Sequence, residues 1–358
     1  MENRMNSYNI AVVPGDGIGQ EIVPEGMRVM DFLTERLDFG LDYTSFPYSA
    51  QHYKETGEFM PPDALQQLKH YDAIYFGAIG HPDVDDTLPA TRYTFRVRKG
   101  FHQYVNYRPV KLIPGVPGPL RNAKAEEVDF VIVRENTEGE FSETGNIVMP
   151  DTPQGFALQT SIFTRTGVER IAHYAFQLAR KRKYHVTNVT KSNTLIHSLV
   201  YWDQLIAEVH QQYPDVKYEK MYVDNASATF VLNPQHFDVI LTTNMIGDIL
   251  SDLGAALMGS LGLGPSGNIN PERDYPSMFE PIHGSAPDIA FKGIANPVSA
   301  IWSGGIMLDH LGENEAGDAV QKAIFAALQD KKNWPADLGG TASTTKVTDA
   351  ILKALDYV

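Results

Sequence analysis

An α/β fold with interleaved domains is what the sequence predicts. Two observations carry this: apolar strand-like runs alternate with amphipathic helical stretches from the first residues onward, and no repeat, low-complexity tract or long linker divides the chain of 358 residues. That length predicts about two domains. Ile10–Val13 is a short apolar run ending in Pro14-Gly15. Residues 20–35 read as a helix, with Ile22, Val23, Met27, Met30 and Leu33 near one face. A strand over 41–46 follows. A helix is then expected after Pro61-Pro62, where proline suits a helix start, and a buried strand over 73–76.

The middle of the chain changes character. Residues 128–133 read as a strand, whereas 136–159 hold turn residues and short alternating stretches, predicting an extended or hairpin region that could serve as an arm. Helices are expected over 168–181 and 194–210, with strands over 186–189, 222–223 and 237–242. A helix begins near Met245, residues 259–270 read as a glycine-rich loop, and helices are expected near 318–328 and 344–355.

Composition narrows the function classes. Hydrophobic residues make up 43% and charged residues 21%, ordinary values for a globular protein. Cysteine is absent, which removes disulfides and thiolate metal sites from consideration. A net charge of -14 argues against a broad nucleic-acid surface, whose affinity comes from neutralising phosphates. No apolar run approaches the roughly 18 residues of a membrane span. The polar opening Met1–Tyr8 has neither signal-peptide nor transit-peptide character, so a cytoplasmic protein is expected.

The sharpest local signal is Gly247-Asp248-Ile249-Leu250-Ser251-Asp252. On a helix, Asp248 and Asp252 share a face, and adjacent carboxylates repel unless a cation or protons intervene. Spacing alone also fits a solvated acidic face. The preceding apolar strand shifts the reading, because α/β proteins place ligands at the carboxyl ends of strands. Oxygen-only ligands suit Mg²⁺ or Mn²⁺, and Asp224, just after another strand, is a candidate third ligand. Arg98, Arg108 and Arg134 lie at or near element edges. Each alone reads as a surface ion-pair partner, whereas three converging on a metal would bind a dicarboxylate or hydroxy acid. Lys191, in Thr190-Lys191-Ser192-Asn193, is either a solvated lysine at a helix start or a base tuned by neighbouring cations.

Pro14-Gly15-Asp16-Gly17-Ile18-Gly19 follows a strand and opens a helix, but its third glycine comes one residue too early for a dinucleotide fingerprint. It reads as a tight turn near a ligand. In His283-Gly284-Ser285-Ala286-Pro287-Asp288, the Asp288 carboxylate could accept from a ribose 2′-hydroxyl and would repel a 2′-phosphate. The remaining histidines show no metal-ligand spacing and read as surface or satisfied groups.

Taken in order, VVPGDGIGQEIVPE, RKGFHQYVNYRPV, VRENTEGEF, VTKSNTL, YVDNASATF, FDVILTTNMIGDILSD and FEPIHGSAPDIAFKGIANP resemble the isocitrate/isopropylmalate dehydrogenase family of β-decarboxylating dehydrogenases along nearly the whole chain. LIPGVPGPL, NPER and IWSG look most similar to its tartrate dehydrogenase/D-malate dehydrogenase branch. The resemblance implies two interleaved domains around a large mixed sheet, distinct from a Rossmann fold. Residues 1–105 with 258–358 would form the NAD-binding domain. Residues 106–257 would form the central metal, substrate and dimerisation domain, with an arm at about 137–160. It implies a homodimer or larger assembly with shared active sites, acting on a small hydroxy acid and not on nucleic acid or membranes.

By the same resemblance, Arg98, Arg108 and Arg134 hold the substrate carboxylates, and Asp224, Asp248 and Asp252 hold Mg²⁺ or Mn²⁺. Lys191, through Asp224 or water, helps remove the hydroxyl proton while hydride passes to NAD. His283, Gly284, Ser285, Ala286, Asp288 and Asn296 hold the adenosine. A requirement for K⁺ is left open. Two positions depart from the family pattern. Phe141 stands at the family's catalytic tyrosine, and a phenyl ring cannot donate a proton. In the specificity segment Thr91–Arg96, Arg92 and Thr94 fit an alkyl-binding pocket poorly, and Arg92 or Arg96 either reads a further carboxylate or points to solvent. The expected activity is oxidation with decarboxylation of D-malate or tartrate. The alternatives are a 3-isopropylmalate or other substituted-malate dehydrogenase, and a catalytically silent regulatory homologue.

Overall fold

The computed structural model describes residues 6–120 and 123–357, so Met1–Met5 of the polar opening lie outside it. The chain runs β1 (Asn6–Gly15), α1 (Gly19–Thr34), β2 (Phe39–Ser45), α2 (Ala50–Thr56), α3 (Ala64–Leu68), β3 (Ala73–Ala78) and α4 (Thr87–Pro89). A π-helical turn (Ala90–Thr94) leads into α5 (Phe95–Gly100), β4 (Val105–Lys111), β5 (Asp129–Glu135), β6 (Gly145–Val148), β7 (Phe156–Gln159) and α6 (Arg165–Arg180). Next come β8 (His185–Thr190), α7 (Ser198–His210), β9 (Lys217–Tyr222), α8 (Val223–Leu232), β10 (Val239–Thr242) and α9 (Asn244–Met258). The chain closes with β11 (Pro265–Ile269), β12 (Ser277–Pro281), α10 (Val298–Leu311), α11 (Asn314–Ala327) and α12 (Thr344–Leu355).

Ten strands form one mixed sheet, in the order β2-β1-β3-β12-β11-β4-β5-β10-β8-β9. Its two flanks are parallel, and its centre, from β12 through β11 and β4 to β5, is antiparallel. The β2-to-β11 half comes from the two chain ends and the β4-to-β9 half from the middle. Parallel flanks must be covered on both faces, and β1 and β3 show it. Ile10, Val12, Ala73 and Tyr75 enter the main core, while Ala11, Val13, Ile74 and Phe76 enter a second core on the opposite face. β6 and β7 pair as a hairpin outside this sheet, in the region expected to be extended. No helix among the described residues is long and apolar enough to cross a membrane.

Two sequence expectations need correction, and one helix was not foreseen. Residues 259–270 are not all loop, because β11 lies within them at the centre of the sheet. Its Pro-Ser-Gly-Asn-Ile sequence lacks an apolar alternation, since its polar residues face the polar face described below. The strand expected at 222–223 is the end of β9, and Val223 already begins α8. α10 is buried continuously from Val298 to Leu308, so it carries no amphipathic period to read.

Candidate active site

The antiparallel centre of the sheet presents a row of polar side chains on one face. Register aligns Glu280 with Ser266. It also aligns Asn268 with Asn106, and Asn106 with Arg134. Alternation along β4 puts Arg108 on the face of Asn106. These groups are buried, so they must satisfy one another. Asn106 donates to Ser266 Oγ (3.0 Å) and Asn268 Oδ1 (3.1 Å), and Asn268 donates to Glu280 Oε1 (2.6 Å).

The three arginines gather on this face. Arg98, on α5, pairs with Glu280 at 2.8 Å. Arg108 donates to Ser251 Oγ at 2.5 Å and lies 3.5 Å from Asp248. Arg134 reaches Asp248 at 2.5 Å and makes a fork onto Asn244 Oδ1 at 3.0 and 2.7 Å. Burial pushes the Arg134 guanidinium down to about 9; Asp248 opposes this, and Arg108 and Arg98 add to it. Arg108 is lowered for the same leading reason. The Nε of Arg98 is buried without a hydrogen-bond partner. Guanidiniums packed this closely in a low-dielectric site favour an anionic ligand.

Helix α9 lies across these arginines, and Gly247 permits it. A Cβ there would stand 2.7 Å from both Cβ and Cγ of Arg134. Glu140 caps the helix start, accepting from Thr243 Oγ1 (2.9 Å) and Met245 N (3.2 Å). Burial tends to raise the Asp248 carboxyl, yet Arg134, Arg108 and Arg98 hold it below the usual range. Asp252 is raised, by burial first and then by the charge of Asp248, with Arg108 opposing. No protein donor reaches the Asp252 carboxylate among the described residues. An oxygen-only pair with one member exposed and free of protein donors suits a hard cation.

Lys191 and Asp224 lie along the same sheet edge, after β8 and at the start of α8. They form an ion pair with each other, and Lys191 holds the Asp224 carboxyl below its ordinary range. Register places Arg134 beside Thr242, Thr242 beside Val189, and Thr190 beside Tyr222. At about 4.8 Å per strand, the start of α8 stands some 10 Å from that of α9. Asp224 does not join Asp248 and Asp252 as a trio within one chain. Among the described residues, the only three metal-ligating side chains mutually within 4.8 Å are His185, Glu219 and His236. The elements that carry this pair, together with α9 and the hairpin, expose apolar side chains. Ile249 on α9 is 64% exposed and Leu232 on α8 is 82% exposed, with Leu195, Ile196, Val200, Tyr222 and the hairpin's Ile147 and Phe156 also exposed.

Phe141 sits in the site. Arg134 lies over its ring at 5.7 Å, and the ring stacks on Phe95 with centroids 5.7 Å apart. Phe95 follows the π-helical turn, a feature common at functional sites. Arg96 donates to the Pro62 carbonyl (2.8 Å) and Arg92 is exposed, so the apolar pair Phe95–Phe141 flanks Arg134 here.

The other loop cluster joins the glycine turn to residues 283–296. Ile18 N donates to Ser285 O (2.9 Å), and a Cβ on Gly17 would stand 2.0 Å from that oxygen. Asp16 is buried and accepts from the backbone amides of Ala50, Gln51 and Gly80, so it organises this turn. His283 contacts Ser299 Oγ at 2.8 Å, and burial lowers its pKa, favouring the neutral ring. Gly284 is open, and Ala286 has a φ of 41°. Asp288 points its carboxylate to solvent. Asn296 donates to Asp337 (3.0 Å) and accepts from Val298 N (3.1 Å), bracing the loop. Sequence reasoning did not find Glu280, Asn244, Ser251 or Glu140, whose contacts span more than a hundred residues.

A mixed ten-stranded sheet with buried arginines under the two aspartates of α9 makes an α/β enzyme site suited to an anionic ligand. The chain belongs to the isocitrate/isopropylmalate dehydrogenase family, whose sequence pattern matches residues 9–351. It is 48% identical to a tartrate dehydrogenase/decarboxylase from Pseudomonas putida, over 98% of each chain. It is 46% identical to the decarboxylating D-malate dehydrogenase of Escherichia coli K12, over 98% of this chain and 99% of that one. An isocitrate dehydrogenase structure from Methylococcus capsulatus superposes with a TM-score of 0.87 at 32% identity, covering 97% of this chain and 99% of the other.

Proposed function

We propose that this chain oxidises and decarboxylates a small 2-hydroxy dicarboxylic acid of the D-malate or tartrate type, using NAD and Mg²⁺ or Mn²⁺. The observation that carries this reading is the gathering of three buried arginines on one sheet face, Arg108 and Arg134 against Asp248 and Arg98 against Glu280, with one buried guanidinium nitrogen unpartnered. The names of the tartrate and D-malate relatives support the substrate class.

In this reading the arginines bind and orient the two carboxylates. Asp248 and Asp252, with Asp224 of a second copy, hold the cation. When bound, the cation supplies Lewis acidity to the substrate oxygens and NAD supplies the hydride acceptor. Lys191 and Asp224 take the hydroxyl proton. Asp288 offers an acceptor to a ribose hydroxyl and disfavours a phosphate there. Residues 1–105 with 258–358 act as the cofactor domain and 106–257 as the central domain, with the hairpin as the arm of a homodimer. The exposed apolar surface on α8, α9 and the hairpin supports the dimer.

The Phe95–Phe141 pair favours a second reading, in which the substrate carries an apolar substituent as in an isopropylmalate dehydrogenase. A 3-isopropylmalate dehydrogenase from Thermobifida fusca is 44% identical. Purified protein with Mn²⁺ and NAD, offered D-malate, tartrate, 3-isopropylmalate and isocitrate, tests both by NADH absorbance. Reduction with D-malate or tartrate is expected. Faster reduction with isopropylmalate selects the second reading, and NAD binding without any turnover overturns both. Phe141 cannot act as an acid, so Phe141→Tyr is expected to raise the decarboxylation rate.

A further inference from the structure

Histidines that show no metal-ligand spacing in the sequence meet at the outer edge of the sheet. His185 opens β8, Glu219 lies on the edge strand β9, and His236 follows α8 in the 3₁₀ turn Pro234–His236. One carboxylate oxygen, Glu219 Oε1, stands 3.0 Å from His185 Nε2 and 2.5 Å from His236 Nε2, and accepts from Thr187 Oγ1 at 2.9 Å. His185 is 9% exposed, and its Nε2, close to Glu219 Oε1, has no hydrogen-bond partner of good geometry. A buried ring nitrogen without a partner is costly, and here it faces the cluster.

We propose that His185, Glu219 and His236 form a second divalent-metal site, taking an imidazole-seeking ion such as Zn²⁺ or Co²⁺ in preference to Mg²⁺. Two imidazoles and one carboxylate, leaving a fourth position for water, are a familiar Zn²⁺ donor set. Bonds of about 2.0–2.2 Å at tetrahedral angles separate donor atoms by roughly 3.3 Å. Glu219 Oε1 therefore needs to part from each ring nitrogen by less than about 1 Å, and the three donor atoms already lie within 4.8 Å of one another. Burial first, and then the charge of Lys217, lowers the His185 pKa, which favours the neutral, ligating ring. Burial tends to raise the Glu219 carboxyl, but the hydrogen bonds from His236 and Thr187 bring it net below its ordinary range, so it is ionised.

This site is separate from the arginine cluster and from Lys191. Six residues of strand, about 20 Å, separate His185 from Lys191 at the opposite sheet edge. A bound ion would clip the edge strand β9 and the turn after α8 to β8, acting on stability and not on the reacting atoms.

The test uses the full-length, chelator-stripped protein in excess Mg²⁺, which fills oxygen-only sites, titrated with Co²⁺ and followed by calorimetry and visible absorption. One Co²⁺ per chain is expected in the wild type and in Asp252→Asn, with a rise in unfolding temperature. His236→Gln and Glu219→Gln should each weaken it by roughly 100-fold or more, since even outer-shell changes cost 10–100-fold. Both variants alter partly exposed groups, so either serves if the other misfolds. No Co²⁺ retained by the wild type in Mg²⁺, or equal retention by both variants, overturns the proposal. Either result leaves a hydrogen-bonded His236–Glu219 pair.

Discussion

Two halves of the candidate site differ in how finished they are. The arginine half is buried, sits on the rigid antiparallel centre of the sheet, and already pairs Arg98 with Glu280 and Arg134 with Asp248. The lysine half is exposed: the Asp224 side chain is 67% accessible, and apolar side chains on the elements that carry the pair, such as Leu195, Tyr222 and Leu232, are exposed as well. A buried polar network is satisfied largely within its own chain, because each unpaired group would cost about 1–3 kcal/mol, and here the Arg98 Nε is left over. An exposed pair carries no such requirement and can wait for a second chain. The difference teaches that a buried arginine surface is finished within one chain, whereas on the proposed reading the exposed lysine–aspartate pair completes its site with a second chain.

The largest effect should come from the exposed half. Lys191→Met is expected to lower kcat by about 10²–10⁴-fold, as loss of a positioned acid–base group does, with the substrate Kd nearly unchanged. A large loss of binding instead would place Lys191 with the arginines. Next, Ile249→Asp puts a charge into the exposed apolar face of α9. Sedimentation should show dissociation, with activity lost in parallel. A fully active monomer would break the contrast between the halves.

The buried half responds differently. Gly247→Ala forces a Cβ against the Arg134 side chain and should cost about 1–3 kcal/mol of stability, as overpacking does, while raising KM. An unchanged KM and denaturation midpoint would mean Arg134 moves freely, against its fork onto Asn244. The smallest effect lies away from both halves. Burial first, and then Arg273, pushes His310 down to about 4. Its folded pKa lies below the ordinary imidazole value of 6.5, so its contribution is whole above that value and lost as pH falls toward 4. His310→Phe should flatten the acid limb of stability by roughly 1 kcal/mol without changing the pH–rate profile.

What was legible in the sequence follows the same division. The first α/β units could be read because their apolar residues keep a clean period. Asp248 and Asp252 could be found because their relation is local to one helix. β11 could not, since Ser266 and Asn268 serve a polar face where an ordinary strand would show apolar residues. α10 could not, since burial on all sides erases the helical period. Glu280, Asn244 and Ser251 were hidden because strand register and the packing of α9 across the sheet, and not spacing, bring them to the arginines. His185 and His236, fifty-one positions apart in number, meet only because β8 and β9 pair and α8 returns the chain beside them.

A site assembled from two chains is tested most directly by complementation. Lys191→Met and Arg134→Met, each nearly inactive alone, should regain activity when co-expressed, because a mixed dimer carries both lesions in one site and none in the other. With random pairing, about a quarter of wild-type activity is expected. No recovery in mixed dimers verified by mass would contradict it, placing both residues in a site built by a single chain.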